Sequence, residues 1–179
     1  SLPAISAFFT TLFATFPTIW LAKRFKLMDS SRIVPRAGGL PVFLGIMLTI
    51  LLFTPFEKTT AGILLGSIIL LIVGLLDDKY QNLSPYFRLI TQFLAAAVVV
   101  MSGIGIQFIT NPLGGIIHLD SIFLLADLLA IFWIVWVMNM INWSKGVDGQ
   151  MPGTICVAAI ILGLLALKLN LAGDPSQLT

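Results

Sequence analysis

Six apolar stretches, at about 2–22, 38–55, 59–76, 87–109, 121–141 and 153–172, take up most of this chain. A helix rises 1.5 Å per residue, so roughly 20 apolar residues cross a hydrocarbon core of ~30 Å. Stretches of this length predict an all-α, polytopic membrane bundle of about six transmembrane helices. The charge content agrees. Only 10% of the residues are charged, 58% are hydrophobic and the mean hydropathy is +1.04. A soluble domain carries about 25% charged residues, so a water-facing surface is out of reach at this length. No repeat, low-complexity linker or soluble domain interrupts the pattern, so residues 1–179 read as a single membrane domain.

The first stretch is apolar from its start, and Lys23, Arg24 and Lys26 follow it. A signal peptide has its positive charge before the apolar core. The order here predicts a first membrane helix whose C-terminal end faces the cytoplasm. The connections extend this reading. Lys23, Arg24, Lys26, Arg32 and Arg36 lie in the first, Lys79 and Arg88 in the third, and Lys145 in the fifth. The even connections hold Lys58 alone, and Lys168 lies near the far end of the last stretch. Basic residues collect on the cytoplasmic side. The odd connections are therefore expected in the cytoplasm, with the N-terminus outside and the chain in the inner (plasma) membrane.

Single residues add less. Cys156, the one cysteine, lies in an apolar run, which rules out a disulfide framework and reads as packing. His118, the one histidine, reads as a loop residue. Asp127 falls inside the fifth stretch, where a mid-bilayer carboxylate costs about 2.5–3.5 kcal/mol. A helix start near 124 brings it to the headgroups instead. Gly62 and Gly66 form a GxxxG that permits close helix approach, a pattern common by chance. Gly38 and Gly39 open the second stretch, either as an anion site at a helix N-terminus or as an ordinary turn.

The polar residues of the odd connections carry the chemistry. "LLIVGLLDDKYQNLSP" runs from apolar turns into Asp77 and Asp78. Adjacent carboxylates repel. They hold a cation, share a proton, or sit solvated at a helix end. Acids at a helix C-terminus also oppose its macrodipole, which argues against a local stabilising role. "MNMINWSKGVDGQMPG" adds Asn139, Asn142, Lys145 and Asp148, with the two asparagines three apart and on one face if a helix reaches them. Acids, amides and basic residues on one membrane side suit a phosphate-rich substrate. Arg and Lys hold phosphate oxygens, and Mg²⁺ takes one or two carboxylates plus substrate phosphates. The residues alone give a polar, anion-handling cytoplasmic site and do not name the substrate.

Three stretches resemble the polyprenyl-phosphate N-acetylhexosamine-1-phosphate transferases, the family of the undecaprenyl-phosphate GlcNAc-1-phosphate transferases. "VPRAGGLPVFLG" (34–45) is similar to that family's Pro-Arg-x-Gly-Gly motif. "GLLDDKYQNLSPYFRLITQ" (74–92) is similar to its Asp-Asp motif, and "NMINWSKGVDG" (139–149) to its Asn-x-x-Asn-x-x-Asp-Gly-x-Asp-Gly motif. The resemblance implies transfer of a sugar-1-phosphate from a UDP-sugar to a polyprenyl phosphate, with Mg²⁺, giving lipid-diphosphate-sugar and UMP. It implies Asp77 and Asp78 as catalytic and metal-binding residues. Asn139, Asn142 and Asp148 fall on the nucleotide-sugar side, and Arg36 and Arg88 are candidates for phosphate contact. The partners implied are a UDP-sugar, polyprenyl phosphate and the bilayer. No nucleic acid is expected, and a homodimer is left open.

Two departures stand out. Lys145 occupies the place of a family acid, either contacting phosphate directly or marking an inactive loop. The family's later loops, with a Gly-Asp-x-Gly-Ser-like metal-binding motif, do not occur. The sequence is therefore expected to be the N-terminal part of a larger transferase, inactive by itself. Phospho-MurNAc-pentapeptide transfer by the same chemistry stays an alternative. A transporter or a purely structural subunit is a reading of another class. A transporter would place ionisable groups near mid-helix, and a structural subunit needs no such polar cluster on one side.

Overall fold

The computed structural model describes residues 2–25, 27, 37–80, 83–106, 108–111, 114–119, 123–144 and 149–171. Its elements in chain order are α1 (Leu2–Arg24), α2 (Gly39–Phe53), α3 (Lys58–Tyr80), α4 (Pro85–Met101), β1 (Phe108–Thr110), β2 (Ile116–His118), α5 (Phe123–Trp143) and α6 (Gln150–Leu171). The protein is an all-α membrane protein, and among the described residues the exception is one hairpin, in which β1 pairs antiparallel with β2 and Ile109 sits opposite Ile117. Among the described residues, the segments of four helices, at 2–24, 58–80, 124–143 and 150–168, are long and apolar enough to cross a membrane. α2 and α4, with 15 and 17 residues, are shorter apolar helices.

Two helix ends differ from the sequence expectation. α3 runs on through Asp77 and Asp78 to Tyr80, because residues 75–80 contain neither glycine nor proline. The stretch expected at 87–109 stops being helical at Met101. Gly103 follows with φ +111°, a left-handed conformation that ends helices. Residues 108–110 then join the hairpin. α5 starts at Phe123, so Asp127 lies in its first turns, near the helix end as expected.

The chain falls into two compact units, 1–135 and 136–179. In the first, α1 packs along α2 and α3 along α4. The inside is built from small residues: Ala22, Ala95, Ala96 and Ala130 are at most 4% exposed. Phe13, Phe16, Leu65, Phe132 and Trp133 are more than half exposed. In lipid, large apolar side chains lose nothing by facing outward, while small ones let backbones approach. Gly62 and Gly66 are such positions. A Cβ on Gly66 would meet Val99 Cγ2 at 2.8 Å and the Ala95 carbonyl oxygen at 3.1 Å, and one on Gly62 would collide with Ser102. The GxxxG is thus the crossing of α3 and α4. Gly45 plays the same part for α1, where an added Cβ would meet the Ala7 carbonyl oxygen at 2.9 Å.

The buried hydroxyls bond to nearby carbonyls. Thr18 donates to Ala14 O (2.7 Å), Thr91 to Arg88 O (2.8 Å) and Ser102 to Val99 O (2.6 Å). Phe93 of α4 meets Phe132 of α5 edge to face, with ring centroids 5.3 Å apart. The second unit holds the last turns of α5 and α6. α6 opens on Gly149 at φ +84°, and its described side chains are exposed except for half-buried Met151. Cys156, expected as a packing residue, is exposed there.

Candidate active site at the end of the third helix

The C-terminal turn of α3 sends three consecutive side chains to three different neighbours. Successive residues of a helix differ by about 100°, so adjacent side chains do not share a face. Asp77 continues the stripe of Gly62 and Gly66 and faces α4. Its Oδ2 accepts a hydrogen bond from Arg88 Nη1 at 3.0 Å, an ordinary N–H···O distance between two charged groups. Asp78 continues the stripe of Ser67, Leu71 and Gly74. These residues line a cavity of about 320 Å³ with Gly39, Leu40, Val42, Phe43 and Ile46 of α2. Lys79 lines a third space, of about 330 Å³, with Phe25 and Leu27 after α1 and Ala37 and Leu40 at the start of α2. Its ammonium also lies 5.3 Å from the centroid of the Tyr80 ring.

These cavities bring one end of each of three helices together. The end of α1, the start of α2 and the end of α3 share lining residues. The opposite ends of α3 and α4 meet at Gly62, Ser102, Thr59 and Gly103, and Asp127 Oδ1 lies beside Gly105 at that level. Within the first unit, Phe25, Leu27, Ala37 and Lys79 therefore lie at one end, and Thr59 and Gly103 at the other.

Arg88 sits in the first turn of α4. Its amide donates to Ser84 O at 3.2 Å, and its carbonyl accepts from the Thr91 hydroxyl. The ion pair is partly open to solvent, with side-chain exposures of 39% for Arg88 and 28% for Asp77. Gly39 opens α2 next to Asp78's cavity, and its N-cap, Gly38, makes no side-chain cap bond. Asn139 and Asn142 lie three apart on the last turns of α5, in the second unit, and both are half-buried. The remaining candidates, Arg36, Lys145 and Asp148, lie outside the described residues.

No group of three or more His, Cys, Asp or Glu residues that could hold a metal occurs among the described residues. Mg²⁺ asks for less, one or two carboxylates completed by substrate phosphates. Asp77 and Asp78 each supply one such carboxylate, on different sides of the helix, so the donor chemistry of either fits Mg²⁺ in the presence of a phosphorylated substrate. The divergence of the two acids is what sequence reading missed. The signal was present: no helix breaker separates them from α3, and neighbours on a helix point apart.

Comparison with known proteins places these residues in a wider set. Residues 60–176 match the profile of Glycosyl transferase family 4, well over half of the chain. The chain is 31% identical over 138 residues to a probable undecaprenyl-phosphate N-acetylglucosaminyl 1-phosphate transferase of Bacillus subtilis, covering 76% of this chain and 38% of that protein. It is 28% identical to the decaprenyl-phosphate N-acetylglucosaminephosphotransferase of Mycobacterium tuberculosis, covering 94% of this chain and 46% of that one. It is also 28% identical to a phospho-N-acetylmuramoyl-pentapeptide-transferase of Caldanaerobacter subterraneus, covering 76% and 45%. The chain spans less than half the length of these relatives. No solved structure matches it.

Proposed function

The chain belongs to Glycosyl transferase family 4, and from that premise we propose that it serves in transfer of a sugar-1-phosphate from a UDP-sugar to a polyprenyl phosphate at the cytoplasmic face. The sugar is GlcNAc in this reading. The lipid phosphate oxygen attacks the phosphorus that carries the sugar. The bond from that phosphorus to the bridging oxygen breaks, and UMP leaves with the oxygen. The products are lipid-diphosphate-sugar and UMP.

The observation that carries the reading is the Asp77–Asp78 pair in the last turns of a continuous helix, with Arg88 3.0 Å from Asp77. A phosphate monoester with a second pKa near 6 is largely ionised at pH 7, so the nucleophile needs little help from a base. Positioning and charge neutralisation supply most of the rate in phosphoryl transfer. Asp77 and Asp78 would hold Mg²⁺, which neutralises phosphate charge when bound. Arg36 and Lys145 are assigned to phosphate oxygens, and Asn139, Asn142 and Asp148 to the nucleotide-sugar.

The test is UMP release by the full-length protein in lipid, supplied with UDP-GlcNAc and undecaprenyl phosphate. The pentapeptide-transferase relative supports a second donor. UMP release from UDP-MurNAc-pentapeptide, and none from UDP-GlcNAc, would favour that donor.

A further inference from the structure

We propose that the β1–β2 hairpin is a lipid-binding element. It lies in the headgroup–acyl boundary of the bilayer, at the end of the bundle opposite Asp77, with Phe108 and Ile116 turned into the lipid. The inference rests on the membrane placement of α4 and α5 and is independent of the transferase reading.

The helices set the depth. Arg88 carries a charge in the first turn of α4, and a charge belongs at the headgroups. Met101, the last helical residue, lies about 20 Å further along at 1.5 Å per residue, short of crossing a core of ~30 Å. The chain regains the interface just after. A Cβ on Gly105 would lie 3.8 Å from Asp127 Oδ1, and that carboxylate also belongs at the headgroups. Phe108 follows Gly105 by three residues, at most about 11 Å of extended chain. The hairpin therefore starts at the interface, whose polar layer is about 5–7 Å deep on each side.

The side chains suit lipid. Between Ser102 and Leu119 the sequence has no Lys, Arg, Asp or Glu. Ile116 pairs with Thr110, two residues from Phe108, so Phe108 and Ile116 share one face and Ile109 takes the other. Phe108 and Ile116 are more than half exposed, and Ile109 is exposed as well. The apolar surface continues onto the helix ends that flank the hairpin in the chain, where Met101 of α4 and Leu124 of α5 are strongly exposed. Leu119, by contrast, is buried and ties the chain after β2 to the first unit.

The backbone suits lipid too. Polar main-chain groups near hydrocarbon must find partners within the protein. The two strands pair with each other, and the turn closes on itself: the Asn111 amide donates to Gly115 O and the Gly114 amide to Asn111 O, both at 3.0 Å. Gly114 and Gly115, at φ +110° and +87°, supply the left-handed backbone that this turn needs. A lone two-stranded hairpin is marginal in water, and lipid contact gives its apolar residues the cover they lack. The shallow depth and the absence of charge favour lipid over a protein partner, whose interface carries a polar rim.

A nitroxide label on Ile116→Cys tests this. The full-length protein, otherwise free of cysteine, is placed in vesicles of phosphatidylcholine and phosphatidylglycerol. Power-saturation EPR then compares collisions with oxygen, which concentrates in lipid, and with nickel-EDDA, which stays in water. The label should lie about 5–10 Å below the phosphates, with an oxygen-to-nickel ratio roughly fivefold or more above that at Glu57→Cys, an exposed position at the same end. A ratio equal to that at Glu57→Cys would put the hairpin in water and overturn the proposal. A label that neither reagent reaches would mean that protein covers this face, which also overturns it. If Ile116→Cys does not fold, Phe108→Cys, on the same face, decides by the same criteria. Loss of UMP release would count against the transferase reading and leave this result unchanged.

Discussion

Arg88 Nη1 lies 3.0 Å from Asp77 Oδ2 and ties the first turn of α4 to the last turn of α3. Asp78, the next residue, lines the space between α3 and α2. A doubled aspartate at the end of an apolar helix is thus two groups with two environments, separated by the pitch of the helix.

The ion pair should matter little for stability. With a quarter to two-fifths of its side chains exposed, it falls in the range of about 0.2–1 kcal/mol measured for such pairs. Thermal unfolding of Arg88→Gln in detergent is expected to shift by no more than this. A loss above about 3 kcal/mol would mean that the pair supports the fold.

The glycines of α3 give a sharper contrast. Gly62→Val drives a branched side chain into Ser102, and overpacking of this kind costs about 1–3 kcal/mol. Gly74→Ala adds a Cβ with nothing within 4 Å, so its stability should stay within about 0.5 kcal/mol or rise. Unfolding of the two variants side by side measures the difference. Equal stability would remove Gly62 from the helix crossing.

The shared cavities and the charge distribution predict sidedness. In a Cys156→Ser background, Ser84→Cys should react with a membrane-impermeant thiol reagent from the cytoplasmic side, and Thr54→Cys from the other. Both positions are exposed. Labelling of both from one side would contradict the alternation of α1 to α4.

Lys145 stands where the family resemblance has an acid. As a phosphate contact, its removal in Lys145→Ala should lower turnover about 100-fold, the scale of losing one charge-stabilising donor. Unchanged turnover would rule the contact out.

Much of the fold was legible in the sequence because lipid is a simple solvent. The long apolar runs gave α1, α3, α5 and α6, the cost of a buried carboxylate favoured a start of α5 near 124, and GxxxG, a pattern common by chance, allowed a close approach whose partner, α4, the structure supplies. The errors came where polarity was read as loop. Asp77, Asp78 and Lys79 look like a connection, yet helix geometry continues through any residue that does not break it. The opposite error ended α4 too late. Ile104 and Ile106 are apolar, but Gly103 turns the backbone left-handed before them. The pairing of Arg88 with Asp77 could not be read from spacing, because it depends on how two helices cross.

The central claim is that the end of α3 takes part in sugar-phosphate transfer to a lipid phosphate. The most direct measurement is Mg²⁺-dependent release of UMP from UDP-GlcNAc and undecaprenyl phosphate by the full-length protein, with Asp77→Asn and Asp78→Asn in parallel. The account predicts release that stops when the metal is chelated, and losses of roughly 100-fold or more in each variant. Undiminished release in both variants would contradict it.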